Sequence, residues 1–213
     1  MSLQLFKHLA ALLFPERCVF CGKVTPRNAR CCPTCDSRLR RAGEEAVYAL
    51  PGVTVYSCFY YKERCRSALD RFKFRGERQL ADYFAAEMSK LAEEQFDGFP
   101  FDCVAYLPMP ELRKQGRGYN QGQLLAEAVA HMQGVPCGSC GLVRPEIFAQ
   151  HDLNGSMRRK QAYSGFAMEE GTVLSGRILL VDDVTTTGSS LAGCAKLLRQ
   201  AGAEKITAIT AAR

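Results

Sequence analysis

The sequence predicts an α/β fold with a largely parallel sheet flanked by helices, preceded by a small cysteine-rich unit. The C-terminal half alternates short apolar strands with amphipathic helices, which is the pattern of βαβ units. Two C-x-x-C pairs lie within the first 40 residues. The chain has 213 residues and 47% of them are apolar, enough for one full-sized domain and a small appendage. We therefore expect a cysteine-rich unit at residues 1–45 and an α/β domain at residues 46–213.

The clearest strand–helix–strand unit lies near the C-terminus. Residues 178–181 form an apolar run, residues 189–200 place apolar side chains on one helical face, and residues 205–210 form a second strand. A crossover of this kind joins parallel strands and is right-handed in nearly all proteins. This unit is the main reason to expect a parallel sheet.

The N-terminal and central elements are predicted from residue type and spacing. Residues 53–61 are rich in β-branched and aromatic side chains and indicate a strand. Residues 2–14 indicate an amphipathic helix rather than a signal peptide, because Lys7 and His8 interrupt the apolar run. The other predicted elements are helices at 63–74 and 78–94, a strand at 103–107, a loop at 108–118 and a helix at 119–132.

The two N-terminal cysteine pairs predict a structural zinc site. Their members are Cys18, Cys21, Cys32 and Cys35. Each pair can hold one side of a tetrahedral Zn²⁺, and a small unit with few core residues is stabilised by such a metal. Four thiolates fill the coordination shell, which argues against a catalytic zinc. Two pairs at finger spacing argue against a redox role.

A third C-x-x-C pair, Cys137 and Cys140, stands alone. Reduced thiols on a surface turn, a second metal site and a redox role all remain open for it. The chain has eleven cysteines but is too long for a disulfide-stapled secreted domain. We therefore expect a reducing compartment and cytoplasmic localisation. We also expect no membrane span, since no apolar run approaches the roughly 20 residues required.

The most informative segment begins where Asp182 and Asp183 follow four apolar residues of a predicted strand. The carboxyl ends of parallel strands are where open α/β sheets bind ligands. A loop of hydroxyl residues and glycine then leads into a helix: Thr186, Thr187, Gly188, Ser189 and Ser190. Backbone N–H groups of such a loop can bind a phosphate. Two acids beside a phosphate fit a sugar phosphate, whose hydroxyls or bound Mg²⁺ they would hold.

The alternative is that the serines only cap the helix and that the acids are only solvated. Nucleotide-binding fingerprints of the G-x-G-x-x-G and G-x-x-x-x-G-K-[ST] kinds are absent from the sequence. The segment VDDVTTTGSS resembles the 5-phosphoribosyl-1-pyrophosphate (PRPP) signature of type I phosphoribosyltransferases. The resemblance implies their fold, with Mg²⁺ bound alongside PRPP. It also implies that Asp182 and Asp183 hold the ribose hydroxyls and that residues 186–190 wrap the 5′-phosphate.

The loop after the strand at 103–107 contains Pro108, Met109, Arg113 and Arg117. In type I phosphoribosyltransferases the corresponding loop binds pyrophosphate, so the resemblance implies that role here. A guanidinium can bind phosphate oxygens in a bidentate manner, which suits both arginines. The alternative is an exposed turn with solvated arginines.

Residues 144–164 form a polar and basic connection that is too long for a tight loop. It contains Arg158, Arg159 and Lys160. These cations suit a mobile lid that closes over pyrophosphate, and an unstructured solvated loop is the alternative.

Positive charge is concentrated on the N-terminal side. The chain has a net charge of +6, and residues 1–75 contain 14 Lys and Arg against 6 Asp and Glu. A surplus of this kind suits an anionic partner such as nucleic acid, or a merely solvated basic face. Within residues 64–75 the cations alternate with aromatic rings that can stack on bases. We therefore predict single-stranded DNA binding along this segment, with a core role of the rings as the alternative.

Taken together, the four-cysteine finger, K-F-R-G at 73–76, R-G-Y-N-Q at 117–121 and VDDVTTTGSS resemble the ComF family of competence-associated, phosphoribosyltransferase-like proteins. The match runs over nearly the whole chain. It implies handling of single-stranded DNA during natural transformation, PRPP as ligand or substrate, and DNA-uptake proteins as partners. The alternative is a conventional phosphoribosyltransferase that transfers the 5-phosphoribosyl group to a small nitrogenous acceptor. The basic N-terminal third favours the DNA-handling hypothesis.

Overall fold

A six-stranded sheet forms the centre of the fold, with the strand order β1-β2-β8-β7-β3-β4. The computed structural model describes residues 15–26, 29–145 and 165–213. β1 pairs with β2 antiparallel, whereas the other neighbours in the sheet are parallel. The strands of this sheet are β1 (Tyr48–Leu50), β2 (Val53–Phe59), β3 (Cys103–Tyr106), β4 (Cys137–Gly138), β7 (Arg177–Val184) and β8 (Lys205–Ala212). A separate antiparallel hairpin consists of β5 (Leu142–Val143) and β6 (Ala167–Met168).

Helices cover both faces of the sheet. They are α1 (Pro33–Asp36), α2 (Glu63–Phe74), α3 (Leu80–Phe96), α4 (Glu111–Arg117), α5 (Gln121–Gln133) and α6 (Ser189–Gln200). Along β7, Leu179 and Val181 pack with α2, α3 and α5, whereas Ile178 and Leu180 pack with α6 and the hairpin. Side chains alternate between the faces of a strand, so β7 is apolar on both sides because both faces are covered.

The cysteine-rich unit packs against α2 and α3. Phe20 lies edge-on to Tyr83, with ring centroids 5.0 Å apart. Arg71 of α2 donates from Nη2 to the carbonyl of Val19 at 2.7 Å. The unit therefore shares the apolar cluster on this face of the sheet.

The predicted α/β class with a parallel sheet is confirmed, and α2 and α6 have the predicted bounds. The predicted loop at 108–118 is wrong in part, because α4 forms between Pro110 as N-cap and Gly118 as C-cap. β7 is longer than predicted and includes both acids, since its pairing with β8 continues to Val184. The sequence does not predict β1, β4, β5 and β6, which are only two or three residues long.

Two predicted segments lie outside the described residues. They are the N-terminal helix at residues 2–14 and the basic stretch that contains Arg158, Arg159 and Lys160. Within the described ranges, no helix combines the length and the apolar character needed to cross a membrane.

Candidate functional site

A pocket of about 230 Å³ lies where β3 and β7 end. Seven predicted site residues line it: Pro108, Met109, Arg113, Arg117, Asp182, Asp183 and Ser190. The structure therefore brings the proline loop and the acidic strand end together, as the carboxyl ends of adjacent parallel strands require. Four further residues, which the sequence did not indicate as site residues, also line it: Lys73, Asn120, Gln121 and Arg144. We call it the acidic pocket.

Asp182 and Asp183 are held by backbone and side-chain contacts at the end of β7. Asp182 Oδ1 accepts a hydrogen bond from the Asp183 N–H at 2.9 Å. Asp183 Oδ2 lies 3.1 Å from Lys73 Nζ, and the two side chains are only 13% and 16% exposed. Burial, and then the charge of Asp183, raise the pKa of Asp182 to about 7, although Lys73 and Arg144 act in the opposite direction. The pocket thus holds an acid that ionises close to neutral pH.

The R-G-Y-N-Q segment fixes the wall of the acidic pocket. The Tyr119 hydroxyl donates to the carbonyl of Phe72 at the end of α2. Asn120 Nδ2 donates to the Leu107 carbonyl at 2.9 Å, and its Oδ1 accepts from the first turn of α5. This segment therefore ties α2, the end of β3 and the start of α5 together.

Gln121 carries the least satisfied polar group of this wall. Its side-chain carbonyl accepts from Arg117 Nη1 at 3.0 Å, and the residue is 1% exposed. Its Nε2 is buried and has no hydrogen-bond partner among the described residues. Because a buried donor without a partner is costly, a pocket-lining residue of this kind suits a bound ligand that supplies an acceptor.

The hydroxyl loop after β7 lies beside the acidic pocket and contributes Ser190 to its lining. Thr186, Thr187, Gly188 and Ser189 do not line the pocket. Gly188 has a φ of +73°, and a Cβ on it would lie 2.4 Å from Leu50 Cδ1, so the turn requires glycine here. Of the loop residues that were predicted to bind a phosphate, only Ser190 therefore lies with the other site residues in the pocket lining.

The predicted DNA-binding segment divides into core and surface residues. Phe72 is fully buried, which matches the core alternative for this ring. Arg71 and Lys73 are engaged within the protein, with the cysteine-rich unit and with Asp183. Phe74 is different, since it is 68% exposed and its ring lies 5.0 Å from the Arg117 guanidinium.

Exposed cations occur next to Phe74 in sequence and on α4, the helix whose Arg117 contacts the Phe74 ring. Arg75 follows it in sequence, and α4 carries the exposed residues Arg113 and Lys114. We call Phe74, Arg75, Arg113 and Lys114 the basic rim. A ring among cations on a surface suits base stacking together with phosphate contact.

The four predicted zinc ligands converge. The Sγ atoms of Cys18, Cys21, Cys32 and Cys35 all lie within 4.8 Å of one another. Cys21 Sγ and Cys32 Sγ are 3.7 Å apart, close to the roughly 3.8 Å expected for two sulfurs on a tetrahedral zinc with Zn–S bonds of about 2.3 Å. This donor set fits zinc. Cys31, next to Cys32, is not part of the cluster and donates to the Cys32 carbonyl instead.

The backbone around the first cysteine pair, Cys18 and Cys21, favours a thiolate at Cys18. Burial opposes ionisation of Cys18, but the N–H groups of Cys32, Phe20 and Cys21 outweigh it and lower its pKa to about 6. A thiolate is the form that binds zinc, so the fold prepares this ligand at neutral pH.

Comparison with known proteins supports the zinc site. Residues 9–49 match the family model of the double zinc ribbon domain. The four-cysteine unit is therefore a zinc ribbon, and the prediction of a structural zinc site is confirmed at this level.

Three bacterial proteins are similar to most of the chain. Competence protein F of Haemophilus influenzae is 31% identical over 69% of this chain and 67% of its own length. Competence protein ComFC of Streptococcus pneumoniae is 28% identical over 85% of this chain and 87% of its own length. The DNA utilization protein YhgH of Salmonella typhi is 26% identical over 89% of this chain and 86% of its own length.

Solved structures give a weaker likeness. An adenine phosphoribosyltransferase from Thermoanaerobacter pseudethanolicus superposes on 64% of this chain and 83% of its own, with a TM-score of 0.41 and 19% identity. Another adenine phosphoribosyltransferase covers 78% of this chain and 86% of its own, with the same TM-score and identity. These values are too low to support an inference about a ligand or a reaction.

Proposed function

The chain belongs to the competence protein F (ComF) family, and on this premise we propose that it handles single-stranded DNA during natural transformation and binds PRPP. PRPP would occupy the acidic pocket, and the strand would lie on the basic rim. Proteins of the DNA-uptake machinery would be its partners in the cytoplasm. The observation that carries the proposal is the junction of the two regions at Lys73 and Phe74, which are consecutive residues of α2.

The acidic pocket has the chemistry that PRPP needs. Arg113, Arg117 and Arg144 supply cations for the phosphates, and Asp182 with Asp183 supplies acceptors for the ribose hydroxyls. Ser190 stands at the start of α6, where backbone N–H groups favour a 5′-phosphate. The buried Nε2 of Gln121 would find its acceptor on the ligand.

Mg²⁺ would enter this pocket with PRPP. Carboxylate oxygens are suitable ligands for it. Among the described residues, however, only the zinc ribbon brings three or more metal-ligating side chains within 4.8 Å of one another. Most oxygens around the cation would therefore come from pyrophosphate and water, and its role would be to neutralise the pyrophosphate charge.

The conventional phosphoribosyltransferase remains the second candidate, because the same pocket would stabilise pyrophosphate as it leaves. Arg113 and Arg117 would carry this role in both cases. The two candidates differ in the basic rim and the zinc ribbon, which transfer to a small acceptor does not need. An assay for pyrophosphate release in the presence of nucleobases distinguishes them.

PRPP binding is tested by calorimetry with Mg²⁺ present. We expect Asp182→Asn with Asp183→Asn to weaken binding at least about tenfold, which is about 1.4 kcal/mol. Gln121→Leu should weaken it as well, because it removes the donor and keeps a side chain of similar length. Asp97→Asn is the matched control, since Asp97 is an exposed residue at the end of α3. Wild-type affinity in both pocket variants would contradict the PRPP proposal.

DNA binding is tested by fluorescence anisotropy with a labelled oligothymidine. Phe74→Ala removes the stacking ring, and the expected loss is about 1–3 kcal/mol for one stacked base. Val173→Ala is the control, because Val173 is 87% exposed. Arg75→Gln should weaken binding and reduce its salt dependence, whereas Lys90→Gln on α3 should do neither. PRPP affinity of each variant is measured in parallel, so that the two parts of the proposal fail or succeed separately.

A further inference from the structure

Three cysteines outside the zinc ribbon lie at the edge of the sheet where β3 and β4 meet. Cys103 is the first residue of β3, Cys137 is the first residue of β4, and Cys140 follows in the turn after β4. Cys140 Sγ lies 3.5 Å from Cys103 Sγ. The third C-x-x-C motif therefore uses one of its members to approach a cysteine that is 37 residues earlier in the chain.

The backbone holds Cys140 in this position. Its φ is +52°, and Glu63 and Asp97 are the only other described non-glycine residues with a positive φ. Such a conformation is unfavourable for a residue with a Cβ, so surrounding contacts must maintain it. The Leu142 N–H donates to the Ser139 carbonyl at 3.0 Å and closes the turn. A Cβ on Gly141 would lie 2.5 Å from Thr172 Oγ1, so the turn is packed against its neighbour.

The two thiols have different acidities. The hydrogen bond between the two thiols outweighs burial and lowers the pKa of Cys103 to about 7. The same hydrogen bond, together with burial, raises the pKa of Cys140. Burial raises the pKa of Cys137 to about 11. Near neutral pH, Cys103 is therefore the nucleophile of the three, because thiolates react and thiols do not.

Exposure also separates these cysteines from the other cysteines of the α/β domain. Cys103, Cys137 and Cys140 are partly exposed. Cys58, Cys65 and Cys194 are buried, with 7%, 1% and 0% exposure, and burial raises the pKa of each. A reagent in solution will therefore reach the first group and not the second.

A metal site is disfavoured for this group. Three sulfurs would have to converge on one ion, as they do in the zinc ribbon. Among the described residues, the ribbon cysteines are the only three or more metal-ligating side chains whose ligand atoms lie within 4.8 Å of one another. The geometry is that of a pair, Cys103 with Cys140, and not of a triad.

We propose that Cys103 and Cys140 form a dithiol site that low-molecular-weight disulfides, such as oxidised glutathione, convert into an intramolecular disulfide. The Cys103 thiolate attacks one sulfur of the small disulfide and releases one thiolate, which leaves a mixed disulfide on Cys103. Cys140 then loses its proton and attacks the Cys103 sulfur, and the second small thiolate leaves. Two protein thiols are oxidised and one small disulfide is reduced to two thiols, so electrons and protons balance.

The bond requires only a small rearrangement. A disulfide is about 2.0 Å long, so the sulfurs must approach by roughly 1.5 Å from their separation of 3.5 Å. Side-chain rotation in the partly exposed turn can supply this. Cys137 is left as a free thiol, which distinguishes this site from C-x-x-C redox motifs that oxidise within the motif. The proposal does not depend on PRPP or DNA binding.

Peptide mapping of zinc-loaded protein tests the proposal. Trypsin places Cys103 on residues 91–113 and both Cys137 and Cys140 on residues 118–158, because Pro145 blocks cleavage after Arg144. After treatment with oxidised glutathione, we expect these two peptides to be linked. The link should persist in Cys137→Ser and should be lost in Cys140→Ser, where Cys103 retains glutathione. Reduction with dithiothreitol should restore free thiols.

A bond between Cys137 and Cys140 would give no link between the peptides and would overturn the proposal. Complete resistance of the wild type to oxidised glutathione would overturn it as well. A second measurement needs no substitution and so does not depend on variants that fold. At pH 7, iodoacetamide should alkylate Cys103 more than about tenfold faster than Cys137, as their thiolate fractions require. Equal rates would contradict the assigned role of Cys103.

Discussion

Lys73 Nζ and Asp183 Oδ2 are 3.1 Å apart, and this ion pair joins the end of α2 to the acidic end of β7. Lys73 belongs to the basic segment that the sequence suggested for DNA. Its side chain is 16% exposed and lines the acidic pocket, so it cannot serve as a surface contact. The segment thus supplies one cation to the pocket and its neighbour Phe74 to the rim.

Loss of this ion pair should destabilise the fold. Lys73→Met leaves Asp183 without its partner in a largely buried position, and we expect the free energy of unfolding to fall by about 1–3 kcal/mol. Lys90→Met is the control, because Lys90 lies 3.7 Å from Glu94 and is 63% exposed. Exposed pairs contribute about 0–1 kcal/mol. Chemical denaturation measures both variants, and equal losses in the free energy of unfolding would show that the Lys73–Asp183 pair stabilises the fold no more than an exposed pair does.

Asp182 should make stability depend on pH. Its pKa is about 7 in the folded protein, against an ordinary value of 3.8. Between these values the folded state keeps a proton that the unfolded state has released, so stability falls as pH rises through this window. Above pH 7 the full cost of the buried charge is present.

Asp182→Asn removes this cost and can still accept from the Asp183 N–H. We expect little change in stability at pH 4 and a gain on the order of 2–4 kcal/mol at pH 8, since one pKa unit corresponds to about 1.4 kcal/mol. Thermal unfolding at several pH values measures the difference. A gain that is the same at pH 4 and pH 8 would contradict a raised pKa. The variant gains this stability but loses the negative charge that the proposed ligand site uses.

Arg71 should act as a clamp on the zinc ribbon. Its Nη1 lies 2.5 Å from Glu77 Oε2, and its Nη2 donates to the carbonyl of Val19, which lies between Cys18 and Cys21. Arg71→Gln should reduce the free energy that holds the ribbon against the α/β domain by about 1.5–3 kcal/mol, which is the usual contribution of a hydrogen bond from a charged group. The readout is zinc release to a coloured chelator, which should be about tenfold faster or more.

Arg66→Gln provides the comparison on the same helix. Arg66 lies 3.8 Å from Asp70 and is 66% exposed, so its loss should leave zinc release unchanged. If the two variants release zinc at the same rate, the contact of Arg71 with the Val19 carbonyl does not stabilise the zinc site.

The sequence was sufficient for the features whose signals are local. Apolar runs and helical stripes predicted the four longer strands, β2, β3, β7 and β8, and the four longer helices, α2, α3, α5 and α6. Cysteine spacing predicted the ribbon. The resemblance to type I phosphoribosyltransferases implied that Asp182 and the loop at Pro108 serve one ligand, and the two meet because adjacent parallel strands end at the same edge of the sheet. Such features depend on neighbours in sequence or on topology alone.

Contacts between distant segments could not be predicted in this way. The pairing of Lys73 with Asp183 spans 110 residues, and nothing in K-F-R-G distinguishes a cation that turns inward from one that faces solvent. The C-x-x-C motif puts Cys140 next to Cys137 in sequence, yet its close partner in the structure is Cys103. Nothing in R-G-Y-N-Q marks Gln121 as buried, and its unpaired Nε2 is seen only when the wall of the pocket is assembled.

The zinc ribbon should hold one zinc per chain through four thiolates. In the double variant Cys18→Ser with Cys32→Ser, each pair keeps a single thiolate, and two sulfur ligands cannot complete a tetrahedral site. We expect metal analysis to give one equivalent for the wild type and less than about half an equivalent for this variant. Its thermal stability should also fall, because Phe20 between Cys18 and Cys21 loses its fixed contact with Tyr83. Cys31→Ser is the control, since Cys31 lies beside the cluster without joining it. Loss of zinc from the Cys31 variant, or full retention in the double variant, would reassign the ligands.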